Sequence, residues 1–380
     1  MASPPRLDAR PPPDDVSAGD TDALLDGVRV LDLSIWRPGP YATQLLVELG
    51  ADIVKVEPPG GDPMRVFPTL FAVLNAGKRS GTVDLKDAQG QEAVRALAAT
   101  ADVVVEGFRP GVAQRLGVDE PSIRAANGSV VYCSISGYGQ DGPLADLPGH
   151  DLNYQAWAGI LEPRGEQDAP VVARPPIADL AGGAYAAFAI CAALVRRATT
   201  GEGERVDVAM ADVLATWTGA VPPLTLPDGR EVGGEVPGYG TFRAADGGWV
   251  AVGVVSEDHL WARLARALDL GDAAGLSFAE RLALTGQLTA RIAAAIAARD
   301  RDELVGALVG DGVPVAPVLS QEEMLATGHF RARGTVTTDA DGGPAMGHPL
   351  RYRLHPTRAP RTVPALMDGP CDLPTWGAPR

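Results

Sequence analysis

Short β-branched runs, each followed by a run with helical spacing, recur through the first half of the chain. "GVRVLDLS" (27–34) is a β-branched run ending in turn residues, and "ADIVKVE" (51–57) is the next such run. Between them "RPGPYATQLLVELG" reads as a loop opened by Pro38 and Gly39, then a helix from about Tyr41 to Leu49, ended by Gly50. The pattern returns as strand "SGTVDLK", helix "DAQGQEAVRALAATA", strand "DVVVEGF", helical "PGVAQRLGV" and strand "SVVYCSISGYG". Strands alternating with helices predict an α/β domain built on a parallel sheet covered on both faces.

Beyond Asp179 the run "LAGGAYAAFAICAALVRRATTGEG" predicts a long apolar helix closed by Arg196-Arg197 and Gly201. A strand and helix follow in "ERVDVAMADVLATW", and the Pro/Gly-rich stretch 221–240 reads as a linker. Residues 241–335 then predict a smaller α+β domain. It opens with a hairpin around Asp246-Gly247-Gly248, continues with helices at 257–270 and 278–309, and closes with a short strand in "VPVAPVLS". The expected large domain is 27–220, completed by the extended, Pro-rich residues 340–380, a tail that needs another surface to pack on.

Composition narrows the class. The chain has 380 residues, 46% of them hydrophobic and 21% charged, a globular balance long enough for two domains. Residues 1–26, rich in Pro and Asp, read as a disordered leader without a targeting pattern. No apolar stretch long enough to span a membrane stands out, so a cytoplasmic protein is expected. A net charge of −15 argues against nucleic acid and anionic membrane as partners. Cys133, Cys191 and Cys371 are too scattered for a disulfide framework or a metal site and are expected to be small buried hydrophobes. The chain's lysines, Lys55, Lys78 and Lys86, all fall between residues 55 and 86, a place where a polyanion could dock.

Familiar catalytic signatures are missing. The loop after the first strand, "SIWRPGPY", lacks G-x-G-x-x-G, and no H-E-x-x-H, G-x-S-x-G or Walker A pattern occurs. What does occur, in order, is "LLVELGADIVKVEPPGGDPMR", "NAGKRSGTVDLK", "ADVVVEGFRPGVAQRLGV", "VYCSISGYGQDGP" and "GHDLNYQAWAG". From about residue 27 to 355 this series resembles the class III CoA-transferase and α-methylacyl-CoA racemase family. The resemblance implies a Rossmann-like large domain with a smaller one, an interlocked homodimer whose partner subunit supports the long tail, and an acyl-CoA thioester as substrate. Coenzyme A then arrives as part of the substrate, with no cofactor bound permanently and no metal.

The resemblance also implies residue roles. In "GFRPGVAQR", Gly107, Phe108, Arg109 and Arg115 match a CoA-binding loop, and arginine's planar fork suits phosphate. Lys78 and Arg79 match a second CoA-lining segment, with Lys55 near the nucleotide end and Tyr154 also lining the site. Asp179 matches a catalytic aspartate, nucleophile in the transferases and acid/base in the racemase; read from the residues alone it is also an N-cap of the long helix. His150 and Asp179 together match the racemase's pair, and the N–H groups opening the Asp179 helix are a plausible enolate cradle. Glu257 is the nearest counterpart of a supporting glutamate, although Ser256 holds the matching place. A methionine-rich acyl surface is missing, since the six methionines do not cluster, and this favours a short branched acyl chain. The expected function is racemisation or epimerisation of a 2-methylacyl-CoA by His150 and Asp179. The alternatives are CoA transfer between carboxylic acids through an Asp179 aspartyl-CoA, or acyl-CoA binding without turnover. Adjacent helical residues point about 100° apart, so Asp151 is not expected to be the histidine's working partner.

Overall fold

In the computed structural model, residues 23–161, 169–220, 236–338, 342–358, 362–367 and 371–376 are described. They fall into two compact units, one within residues 236–331 and a larger one that joins described residues of 23–220 with those of 332–376.

The larger unit is a doubly wound α/β layer structure. Its strands are β1 (Arg29–Asp32), β2 (Asp52–Glu57), β3 (Arg79–Val83), β4 (Val103–Glu106), β5 (Val131–Ser136) and β6 (Arg205–Ala209). They pair in parallel in the order β3-β2-β1-β4-β5-β6. Between β1 and β4 the winding reverses, which leaves a crevice at the carboxyl ends of these two strands where ligands of such sheets bind. The strands are near-continuous apolar runs because helices cover both faces.

One face is covered by α1 (Pro38–Glu48), which is joined there by α6 (Asp151–Trp157), α7 (Ile177–Thr200) and α8 (Met210–Gly219). The other face carries α3 (Ala88–Ala98), α4 (Val112–Arg115) and α5 (Glu120–Arg124), while α2 (Pro68–Asn75) packs beside α1. Helix α1 begins at Pro38, earlier than expected, because proline fits the first helical turn, where no N–H is needed. Helix α7 is long and apolar enough to cross a membrane by length and composition, contrary to expectation. Its apolarity comes largely from Ala and Gly, small residues that let it press against α1. A Cβ on Gly183 would lie 2.6 Å from the Pro38 carbonyl oxygen.

The described C-terminal residues make contacts on the same unit. A two-residue strand (Cys371–Asp372) pairs antiparallel with β3, Gly77 N–H donates to the Thr362 carbonyl at 2.6 Å, and Arg358 pairs with Asp26 at 2.7 Å.

The smaller unit has a three-stranded antiparallel sheet, Tyr239–Arg243, Trp249–Gly253 and Val315–Pro317, with its own core around Trp261, Leu264 and Ile292. The helix expected over 278–309 is three: Phe278–Ala283, Thr285–Ala297 and Arg301–Gly310. Asp300, in extended backbone (φ −71°, ψ 142°), is the N-cap residue of the last and breaks the run. Most of the expected linker, 221–235, lies outside the described residues.

Candidate active site

The site grows from the glycines around one tyrosine. Tyr154, on α6, is seated between Gly137 and Gly149, where added Cβ atoms would come within 2.3 and 2.6 Å of its ring. Its hydroxyl donates to the Gly149 carbonyl at 2.5 Å, and its ring meets Tyr138 edge-on at 5.1 Å. This anchor fixes the turn before α6. His150 follows as the helix's N-cap residue in extended backbone, its own N–H donating to Asn153 Oδ1 at 3.0 Å and its side chain exposed.

The next residue supplies the central contact. Asp151 Oδ1 accepts the N–H groups of Ala178, at 2.6 Å, and Asp179, at 3.1 Å. Its Oδ2 accepts from the buried Gln155 at 2.5 Å. Pro176, the N-cap residue of α7, has no side chain to cap with, so the cap is lent by Asp151 from α6. Asp179 stands at the third helical position and is not the cap itself. Of the N–H groups that open α7, expected to face an enolate oxygen, those of Ala178 and Asp179 are engaged by Asp151.

Asp179 is half-buried, and its pKa is pushed up to about 6. Burial contributes most, the Asp151 carboxylate adds to it, and the Arg37 guanidinium pulls the other way. Arg37 was missed by sequence reasoning. It lies in the β1–α1 loop at the sheet's switch point, which was scanned only for a glycine fingerprint. The signal available was position: the residue after a first strand that faces the crevice of a parallel sheet.

The 107–115 loop follows the end of β4, across the crevice from β1. Gly107 packs with its Cα face toward Ser34, 3.5 Å from where a Cβ would stand, and Phe108 N–H donates to Glu106 at 2.7 Å. Arg109 and Arg115 are exposed, and their guanidiniums have no hydrogen bond or ion pair among the described residues. Arg109 and Asp179 both act electrostatically on Tyr154, which puts loop and carboxylate around one ring.

The lysines are elsewhere. Lys55 is fully buried, donates to the Ser34 carbonyl at 2.7 Å and pairs with Asp62 at 2.8 Å. Lys78 is 3% exposed and pairs with Asp32 at 3.2 Å, with Thr43, Asn75 and the Pro40 carbonyl completing its shell. Buried and fully engaged, neither can reach a phosphate, which removes both from the expected CoA contacts. Arg79 is held by Asp52 at 2.6 Å and by the Thr375 carbonyl. Glu257 belongs to the smaller unit, at the start of helix Asp258–Ala267. Its carboxylate accepts its own and the Val255 N–H, which holds its pKa below the usual range. Cys133 is buried and Cys191 half-buried, both as thiols; the Cys371 side chain lies outside the described residues. Among the described residues no cluster of His, Cys, Asp and Glu is arranged to hold a metal.

A family model described as CoA-transferase family III matches residues 25–368. A succinate–glutarate CoA-transferase from Agrobacterium fabrum is 34% identical over 381 residues, covering 90% of this chain and 92% of its own. The α-methylacyl-CoA racemase of Mus musculus is 32% identical over 331 residues, covering 85% and 84%. Among solved structures, a CAIB/BAIF family protein from Brucella suis superposes with a TM-score of 0.79 at 31% identity, covering 92% of this chain and 97% of that one. The chain belongs to CoA-transferase family III and is an acyl-CoA enzyme of the kind that includes both CoA-transferases and a racemase.

Proposed function

We propose that this enzyme inverts the α-carbon of a 2-methylacyl-CoA by proton transfer between Asp179 and His150. One observation carries the reading: Asp151, the residue after His150, accepts the backbone N–H of Asp179, so the two chain segments that bear the proposed groups meet at that residue. A carboxyl near pKa 6 can hold and release a proton close to neutral pH, as a two-way acid/base must. One group takes the α-proton, and the C–H electron pair moves into the thioester as an enolate. The other group then delivers a proton to the opposite face, and the enolate electrons re-form the C–H bond. CoA enters and leaves on the substrate, its phosphates facing Arg109 and Arg115.

A second reading has its own support. A CoA-transferase needs Asp179 ionised to attack the thioester carbonyl, expelling CoA thiolate and leaving a mixed anhydride. Arg37 favours that ionised form, and the Agrobacterium relative carries a transferase name. The discriminating experiment incubates the enzyme with a 2-methylacyl-CoA in D₂O and measures α-deuterium uptake beside CoA exchange into a labelled free acid. Deuterium uptake lost from one enantiomer in His150→Ala and from the other in Asp179→Ala supports racemisation. CoA exchange that survives His150→Ala but not Asp179→Ala replaces it with transfer, and inactivity in both assays across a broad panel of acyl-CoAs leaves binding alone.

The same reading includes a cytoplasmic homodimer. Helix α7 exposes Tyr185, Phe188 (71% accessible) and Val195, with Trp217 donating to the Tyr185 hydroxyl at 3.2 Å, an apolar face suited to a second copy. Sedimentation of wild type and Phe188→Asp tests it: a dimer that dissociates in the variant supports the pairing, and a wild-type monomer excludes it.

A further inference from the structure

Near the carboxyl ends of β4, β5 and β6 a polar row crosses the sheet. Glu106, Ser134 and Asp207 stand side by side in register, and Tyr132 pairs with Arg205 two residues earlier. The alternate residues Val105, Cys133 and Ile135 point the other way, into the core shared with α7. The row therefore lies across the sheet from the Asp179 helix. A cavity of about 290 Å³ opens over it, lined by Glu106, Tyr132, Ser134 and Arg205 from the strands, by parts of α4 and α5, and by Gln140. That volume is at the small end of the range for ligand sites, about 300–1,000 Å³.

The polar groups of this cavity are unevenly answered inside the fold. Asp119 accepts from Ser122 and Glu120 pairs with Arg124, so both carboxylates have partners. The Arg205 guanidinium, by contrast, has neither hydrogen bond nor ion pair among the described residues; only the main-chain N–H of Arg205 donates, to Glu204. Gln140 Nε2 is buried without a partner, although Asp207 holds the Gln140 main chain in place by accepting its N–H at 2.9 Å. Glu106, 2% exposed, takes the Phe108 N–H at 2.7 Å and a hydrogen bond from Ser134, and it forms no ion pair among the described residues. A carboxylate with two such bonds still has acceptor positions to spare. Burial pushes its pKa up to about 7, Asp207 adds to the rise, and the two hydrogen bonds and Arg205 oppose it. Two unanswered donors, one of them cationic, thus share a small cavity with a buried carboxylate that lacks a counter-charge. A plain anion would suit Arg205 and be repelled by Glu106, and a plain cation the reverse. A molecule that carries both charges answers all three groups.

We propose that this cavity is a binding site for a small zwitterion of the α-amino-acid class, its carboxylate on Arg205 and Gln140 and its ammonium on Glu106. The site is separate from Asp179 and does not depend on the proposed reaction.

The test titrates the full-length enzyme by calorimetry with each protein amino acid. Those that bind are compared with the matching carboxylic acid and the matching amine, each of which lacks one charge. At least one amino acid is expected to bind with a Kd of about 1 mM or tighter. Both of its controls should be weaker by about 30-fold or more, the scale of a lost charge pair. Arg205 is exposed, so Arg205→Ala should fold; it should weaken the amino acid by a similar ratio and leave acyl-CoA binding unchanged. Glu106→Gln should weaken it likewise, and if that variant does not fold, Arg205→Ala decides. Failure of every amino acid to bind overturns the proposal, as does a carboxylic acid that binds as well as its amino acid. Binding kept in full by Arg205→Ala also overturns it, and so does competitive displacement by CoA, which would place the ligand in the CoA site.

Discussion

Asp32 and Asp179 lie in the same unit, and burial pushes on both, yet they finish at opposite ends of the carboxylate range. Asp32 closes β1 and is fully buried. Burial would raise its pKa, but Lys78, then Lys55, with hydrogen bonds from Ser34 and Thr43, bring it down to about 2. Burial lowers Lys78 to about 8, so the pair remains ionic at neutral pH. Asp179 faces the same desolvation with a second carboxylate beside it and a single cation within electrostatic reach, and it rises to about 6. The first site is a closed circuit in which every charge is answered inside the fold. The second is left open, which is why the proposed chemistry is assigned to it.

The comparison can be broken by exchanging each carboxylate for an amide. Asp179→Asn is expected to lose about 10³-fold or more in turnover, the scale of a missing general acid/base, while the fold survives. Asp32→Asn is expected to cost about 3–5 kcal/mol in unfolding free energy, because it leaves Lys78 buried and uncompensated. Urea unfolding beside turnover separates the two: if Asp32→Asn folds with unchanged stability, its circuit is not structural.

Linkage sharpens the contrast. A raised carboxyl favours folding at low pH, so the contribution of Asp179 is present below about pH 4 and lost as pH rises through about 6. Asp32 works in the other sense, its contribution present above about pH 4 and lost as pH falls through about 2. Above pH 7, Asp179→Asn should therefore be more stable than wild type by about 1–2 kcal/mol, and the gain should vanish near pH 4. A pH-independent difference contradicts the raised pKa.

Smaller effects test the supporting residues. Asp151→Asn keeps an acceptor for the α7 N–H groups but removes the negative charge, so the acidic limb of the pH–rate profile should move to lower pH, with turnover down about tenfold. A limb that stays in place means Asp151 acts by geometry alone. Arg109→Ala and Arg115→Ala should each raise KM about tenfold with kcat little changed, the pattern of lost uniform binding. If kcat falls instead, the loop does more than hold CoA.

Much of the sheet was legible in the sequence because a strand buried on both faces writes itself as a β-branched run: "VRVLD", "DIVKVE" and "DVVVE" needed no tertiary context. Asp179 and His150 were singled out by motif. What remained hidden was pairing. Lysines clustered in sequence near a polyanion-binding pattern could equally have been surface charges. Only the fold shows Lys55 and Lys78 turned inward to Asp62 and Asp32. Asp151 was read only against its neighbour, as a poor partner for His150, whereas its carboxylate caps α7, 27 residues on. Arg37 was invisible for the same reason, since its meaning lies in α7 and not in its neighbours.

Following each enantiomer separately tests the central claim most directly. With purified R and S forms of a 2-methylacyl-CoA in D₂O, two acid/base groups on opposite faces give different lesions. His150→Ala should abolish α-deuterium exchange from one enantiomer, and Asp179→Asn from the other, with wild type exchanging both. Identical behaviour of the two enantiomers in His150→Ala, with exchange intact, would contradict the assignment of a proton to that histidine.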